Sequence, residues 1–170
     1  MIFRLSQKLN DKIKVGKLGT MPLDANPLAD WSAQFFAVGR TQFIMLANTK
    51  ALRSTVLIAK GITSGADFVE LALGGVRGIF EADGHAGVYE QVVAPACTSI
   101  FYAKALNRSV TGSLNDMIKH ASYWLALGDV GMAAISARLK ETPMSALGRP
   151  SSPYGFPRDV FEEIVAASGA

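Results

Sequence analysis

Apolar and polar positions along the chain switch between two periods, and the switches mark the elements. Met1 to Leu5 alternates as a strand does. Ser6 then stands where a helix cap belongs, with Leu9 and Ile13 on one side of a short helix. Trp31 to Val38 and Thr41 to Leu46 are rich in aromatic and β-branched residues, and Gly39-Arg40 separates them. Two such runs around a two-residue Gly-X turn predict a β-hairpin over 31–48. Glycine in the first turn position suits type II′, which needs a positive φ there. Thr55 to Ala59 reads as another short strand, and Cys97 to Lys104 as a fifth, centred on Ile100, Phe101 and Tyr102.

The helical period appears between and after these runs. Thr63 or Ser64 caps a helix over 64–82, with Phe68, Leu71, Leu73, Val76, Ile79 and Phe80 on its apolar side. Asp67, Glu70 and Arg77 are left for water. Gly74-Gly75 weakens that helix, and its lack of side chains suits the close approach of another element. Ser113 opens a helix over 113–127 that Gly128 ends, and Asp129 caps a further one over 129–140 that stops at Glu141-Thr142-Pro143. Pro157 starts a last helix over 157–167, whose apolar side is Val160, Phe161, Ile164 and Val165. Residues 16–30 and 148–157, rich in glycine and proline, predict surface loops. Strands early, helices later and a short-looped hairpin predict the α+β class: one domain over 1–170, an antiparallel sheet of four or five strands with helices on one face.

Composition narrows the class. The chain has 170 residues, 49% of them hydrophobic and 18% charged, which excludes a disordered chain and suits one core. The mean hydropathy of +0.23 is high for a small domain and points to a face shared with a second subunit, so a homo-oligomer, a homodimer first, is expected. The most apolar stretch, Ala121 to Ile135, is too short to span a bilayer and carries Asp129. The first residues lack the long apolar core of a signal peptide. No membrane partner is expected.

Charge is uneven. Residues 1–60 hold nine Lys/Arg against three Asp/Glu, a net +6, and residues 61–170 hold eight against eleven, a net −3. A basic first third could attract phosphate. Its cations are scattered rather than interleaved with aromatics, so nucleic-acid binding is the weakest of three functional readings. It would need Trp31, Phe35, Phe36 and Phe43 on one solvent face beside Arg40, Lys50 and Arg53.

The chemistry-bearing residues concentrate in one place. Asn107-Arg108-Ser109-Val110-Thr111-Gly112-Ser113-Leu114-Asn115-Asp116 lies between a strand and a helix. Ser113 and Asp116 have the spacing of a capping pair. Arg108, Ser109 and Asn115 are left over, and a helix start with an arginine beside it can hold a phosphate or carboxylate. His120 follows Asp116 by one turn, on the same helix face. Asn107, Arg108, Ser109, Ser113, Asn115, Asp116 and His120 are therefore the candidate ligand-binding residues, for an anionic ligand or a phosphorylated substrate. In that reading Arg108 holds the anion, and Asp116 or His120 moves a proton. The segment is neither a Walker A loop nor a dinucleotide fingerprint, and no cofactor is expected.

This stretch resembles the signature of an uncharacterised bacterial family of unknown function. Arg40-Thr41-Gln42-Phe43-Ile44 running to Asn48-Thr49, Leu139-Lys140-Glu141-Thr142-Pro143, and Arg4-Leu5-Ser6-Gln7-Lys8-Leu9 are similar to that family too. Thr111 stands where a large apolar residue is common, and Lys140 where asparagine is. The resemblance implies a bacterial cytoplasmic protein and supplies no activity.

Elsewhere the chemistry is thin. Two histidines exclude a histidine-rich metal site, and a single cysteine excludes a disulfide or a four-cysteine zinc site. A reducing cytoplasm is the simplest compartment. Glu81-x-Asp83-x-His85 has ligand types at short spacing, but a solvated loop explains it, and no metal is expected. Cys97 reads as a buried, inert thiol. With no complete catalytic set, the first reading is a non-enzymatic binding or assembly module, the second an enzyme on an anionic substrate at 107–120, and the third nucleic-acid binding.

Overall fold

The computed structural model describes residues 1–169; Ala170, the last residue of the expected domain, lies outside them. Five strands form one sheet: β1 (Ile2–Leu5), β2 (Asp30–Val38), β3 (Thr41–Asn48), β4 (Ser54–Ile58) and β5 (Phe101–Lys104), in the order β4-β3-β2-β1-β5. The 31–48 hairpin is present, with Trp31 opposite Asn48 and Val38 opposite Thr41. Gly39 has φ +59° while Arg40 stays outside the left-handed region, as a type II′ turn requires.

The sheet is mixed rather than antiparallel throughout. β1 runs parallel to both its neighbours, pairing Ile2 with Asp30 and with Phe101. Parallel neighbours need long crossovers. The first contains α1 (Gln7–Ile13), capped by Ser6, and the 14–29 connection. The second contains α2 (Gly65–Ala82) and the irregular stretch that follows. That stretch corrects the fifth strand: α3 (Ala86–Val88) runs on into a π turn over Tyr89–Val93 and a 3-10 turn over Ala94–Thr98, so Cys97 sits in a helical turn and only 101–104 pair. Pro95 at the start of the 3-10 turn has no N–H to give a ladder.

Helices cover both faces, not one. The three remaining segments are α4 (Arg108–Leu127), α5 (Met132–Lys140) and α6 (Pro157–Ser168). On one face Phe3, Trp31, Ala33, Ile44 and Leu46 pack against Phe68, Val76 and Phe80 of α2 and Phe161 of α6. Phe3 meets Phe68 edge-on with centroids 5.2 Å apart, and Phe80 meets Phe161 in the same way at 5.2 Å. On the other face Phe36, Phe43, Met45 and Val56 pack against Val110, Leu114 and Met117 of α4 and Ile135 and Leu139 of α5. β3 explains the second layer. Phe43 to Ala47 is apolar at every position, so both parities of the pleat need cover.

Two helix starts differ from expectation. Asn107, not Ser113, caps α4: its side chain accepts from the Val110 N–H at 2.9 Å. Ser113 lies more than a turn inside the helix. Gly131, not Asp129, precedes α5, and no side chain caps it. Gly128 ends α4 with φ +76°, as read. Asp67 is not simply left to water: with Ser64 it forms a full capping box at the start of α2. Gly75 is where α2 presses on the sheet, since a Cβ there would sit 3.0 Å from both Leu57 methyls.

Candidate functional site

α4 and its cap residue Asn107 carry all the sequence-predicted site residues and divide them. At 100° per residue, Arg108 and Asn115 fall on one stripe, and Ser109, Ser113, Asp116 and His120 on another. Asn107 is taken by the cap, its carbonyl also accepting from Thr111 Oγ1 at 3.0 Å. Arg108, Ser109 and Asn115 are exposed and make no side-chain hydrogen bond among the described residues. Arg108 and His120 are twelve residues apart, about 18 Å along the axis. They do not converge, so Arg108 cannot hold an anion that His120 protonates.

Three candidates do come together. Ser113, Asp116 and His120 line a cleft of about 210 Å3, with Lys119, Thr142, Ser145 and Tyr154 on its other sides. Ser113 is buried and its hydroxyl has no hydrogen-bond partner among the described residues. Asp116 pairs with Lys119 at 2.8 Å, on the surface. The His120 ring lies against Trp124, centroids 5.9 Å apart. Of the predicted set, then, the structure brings three into one cleft and leaves the arginine outside.

Beyond His120 the same helix shows something the sequence reading passed over. His120, Tyr123, Trp124 and Leu127 follow the i, i+3, i+4, i+7 spacing of one face. Tyr123 is 64% exposed and Leu127 55%. The Arg138 guanidinium of α5 lies over the Trp124 ring, 5.3 Å from its centre. On the adjoining face Val110, Leu114, Met117 and Ala121 are buried in the core, and Trp124, at the border, packs partly against it. The apolar arc of α4 is thus wider than the part the core covers. The apolar run from Ala121 onward was the signal, and it reads equally well as a buried helix.

The other candidates resolve into separate pairwise contacts. Glu81, Asp83 and His85 turn to separate partners: Arg77 at 2.8 Å, Arg53 at 2.6 Å and Glu162 at 2.9 Å. No group of three or more His, Cys, Asp or Glu that could hold a metal occurs among the described residues. Cys97 is half-buried, its thiol donates to the Val93 carbonyl at 3.3 Å, and burial pushes it above the ordinary thiol pKa, away from the reactive thiolate. The aromatic platform for nucleic acid is not on the surface: Trp31, Phe36 and Phe43 are buried in the two cores. Arg53, expected beside them in solvent, is buried too.

Two buried arginines were missed as structural centres. Arg4 sits in β1 between Phe3 and Leu5 and meets Asp30 fully out of water. Arg53 donates to the Asp83 carboxylate through Nε and Nη2 at 2.6 and 3.1 Å, to the Ser54 carbonyl at 2.8 Å and to Ser136 Oγ at 3.0 Å. Lys140 adds a third bond to Asp83 at 2.9 Å. Burial alone would raise the Asp83 carboxyl, but the hydrogen bonds and charges of Arg53 and Lys140 outweigh it and hold the carboxyl below its usual range. A lone arginine inside an apolar tetrapeptide was the available sign for Arg4; nothing local marked Arg53.

Among the described residues no helix is long and apolar enough to cross a membrane. No curated protein matches the chain, and no solved structure does. A family described as "Domain of unknown function (DUF6933)" matches residues 2–160. That match spans β1 through the first turn of α6, both helix layers and the whole 107–120 segment, and the chain belongs to this family of unknown function.

Proposed function

We propose that the protein is a non-enzymatic assembly module whose α4 face docks on a second copy of the same chain. The carrying observation is the exposure of Tyr123 and Leu127 on one face with His120 and Trp124. Tyrosine, tryptophan and arginine are the residues that anchor protein interfaces, because each covers apolar area and keeps a polar edge. The charges at the two ends of the stripe favour a second copy as the occupant. Lys119 flanks its first end and Asp129 its second, so the two ends carry opposite signs. Two α4 helices packed antiparallel about a two-fold axis near Tyr123 bring Lys119 of one copy toward Asp129 of the other. The high mean hydropathy fits the same reading.

Sedimentation equilibrium at micromolar concentration tests it. The expected result is a dimer that the double substitution Tyr123→Ser, Leu127→Ser converts to a monomer with an unchanged circular dichroism spectrum. Lys119→Glu weakens association, and adding Asp129→Lys restores it. A monomeric wild type, or a dimer indifferent to all these changes, overturns the reading.

A further inference from the structure

The β4 edge of the sheet opens into a crevice of about 380 Å3 between α2 and α5. α2 packs on one face of the sheet and α5 on the other, so the outer edge of β4 forms the floor, at Val56 and Leu57. The walls are apolar and mostly small: Gly75, Gly78 and Ala82 with Ile79 from α2, Ala133 and Ala137 with Met132 from α5.

The ionisable side chains lining this space are Arg53, Asp83 and Lys140. They are linked to one another, and they do not balance: two cations share one carboxylate. The Arg53 and Asp83 side chains are 3% and 5% exposed, so water screens them poorly. Arg53 spends four of its five N–H groups on Asp83, the Ser54 carbonyl and Ser136. Lys140 spends fewer. Its ammonium has three N–H groups, one goes to Asp83, and the other two meet no acceptor among the described residues. A cluster with one positive charge left over, facing an apolar crevice, attracts a single negative charge attached to an apolar body.

We infer that this crevice binds a small aliphatic carboxylate, its head group on the Lys140 ammonium and its alkyl part along the glycine and alanine walls. The single excess charge matches a monoanion better than a phosphate. A free short-chain acid and the C-terminal carboxylate of an apolar peptide share that chemistry. This site lies on a different part of the molecule from the α4 face and goes beyond the assembly reading.

Titration of the labelled full chain by amide NMR tests the inference, with hexanoate, its uncharged counterpart hexanol, and acetyl-leucine as probes. Hexanoate or acetyl-leucine should give saturable shifts at Gly75, Gly78, Ala133 and Ala137, which one of them binds tells the source, and hexanol should bind at least about tenfold more weakly. Lys140→Gln should cost hexanoate about tenfold or more, and Lys140→Arg should keep it. Gly78 has open space where a Cβ would go. Gly78→Leu therefore fills the crevice without touching the charged cluster and should abolish binding. The inference is overturned if neither carboxylate saturates by about 10 mM, if hexanol binds as well as hexanoate, or if Gly78→Leu leaves binding unchanged. Loss of the dimer in the α4 variants leaves this titration unaffected, so the two readings fail separately.

Discussion

The Arg4 guanidinium and the Asp30 carboxylate meet in parallel, Nε to Oδ1 and Nη2 to Oδ2, both at 2.7 Å and both out of reach of water. The pair also ties down the 16–30 connection. Arg4 donates to the Met21 and Pro22 carbonyls at 2.9 and 2.7 Å, and the Asp24 N–H donates to Asp30 at 3.0 Å. One side chain thereby joins the middle of the sheet to the loop that crosses to it.

Removing one partner leaves the other charged and buried. Asp30→Ala should destabilise the protein by about 3–5 kcal/mol, the usual cost of breaking a buried pair. The double substitution Arg4→Met, Asp30→Ala should lose less than the sum of the two singles, because no orphaned charge remains. It should still lose stability, because Met21 and Pro22 keep carbonyls without donors. Urea midpoints of the four proteins give the comparison; additive single effects would show that the two side chains act independently.

The start of α4 gives the second prediction. If capping resides where the spacing of Ser113 and Asp116 suggested, Ser113→Ala should cost about 1 kcal/mol. The structure reverses this. Asn107→Ala should cost about 0.5–2 kcal/mol, because the Val110 N–H loses its acceptor. Ser113→Ala should be neutral within about 0.5 kcal/mol, since the hydroxyl has no partner to lose and alanine is the better helix former. Thermal melts of the two variants decide it.

That reversal shows what local pattern could and could not say. The hairpin was legible because Gly39-Arg40 imposes a turn type and a register, and both runs flanking it are strand-like on their own. The helices over 64–82 and 157–167 were legible because their apolar positions repeat at the right period. The parallel placement of β1 was not. Its pairing is made by backbone groups across crossovers, and a four-residue run says nothing about its neighbours. Cys97 and Thr98 looked like strand because they lead straight into the apolar run Ile100 to Tyr102, yet Pro95 and the packing of Val93 hold them in a 3-10 turn. The second helix layer was legible in principle, since Phe43 to Ala47 is apolar on both faces. The candidate site fared least well. Residues close in sequence at 107–120 were gathered as one site, but a helix turns its side chains away from one another, and Arg108 was separated from His120 by the helix geometry itself. Lys140 drew notice only as a departure from the family pattern, and its partners Arg53 and Asp83 come from segments that only the fold brings together.

The last prediction concerns that cluster. The Asp83 carboxyl is held below its usual range in the folded protein by Arg53 and Lys140, against the opposing effect of burial. A group with a lowered folded pKa binds its proton more readily when the chain is unfolded. Its contribution to stability is therefore complete above the unfolded value, about 3.9, and is lost as pH falls through the lower folded value. Asp83→Asn removes the charge at every pH and should be destabilising at pH 7, since Arg53 is left buried beside a neutral group. On acidification the wild-type carboxyl becomes neutral too, so the two proteins should converge. The difference in urea midpoint between wild type and Asp83→Asn should stay constant from neutral pH to about 5 and narrow below about 4. A difference that holds steady or widens down to about pH 3 would mean that Asp83 is not the group whose ionisation fastens β4 to α5.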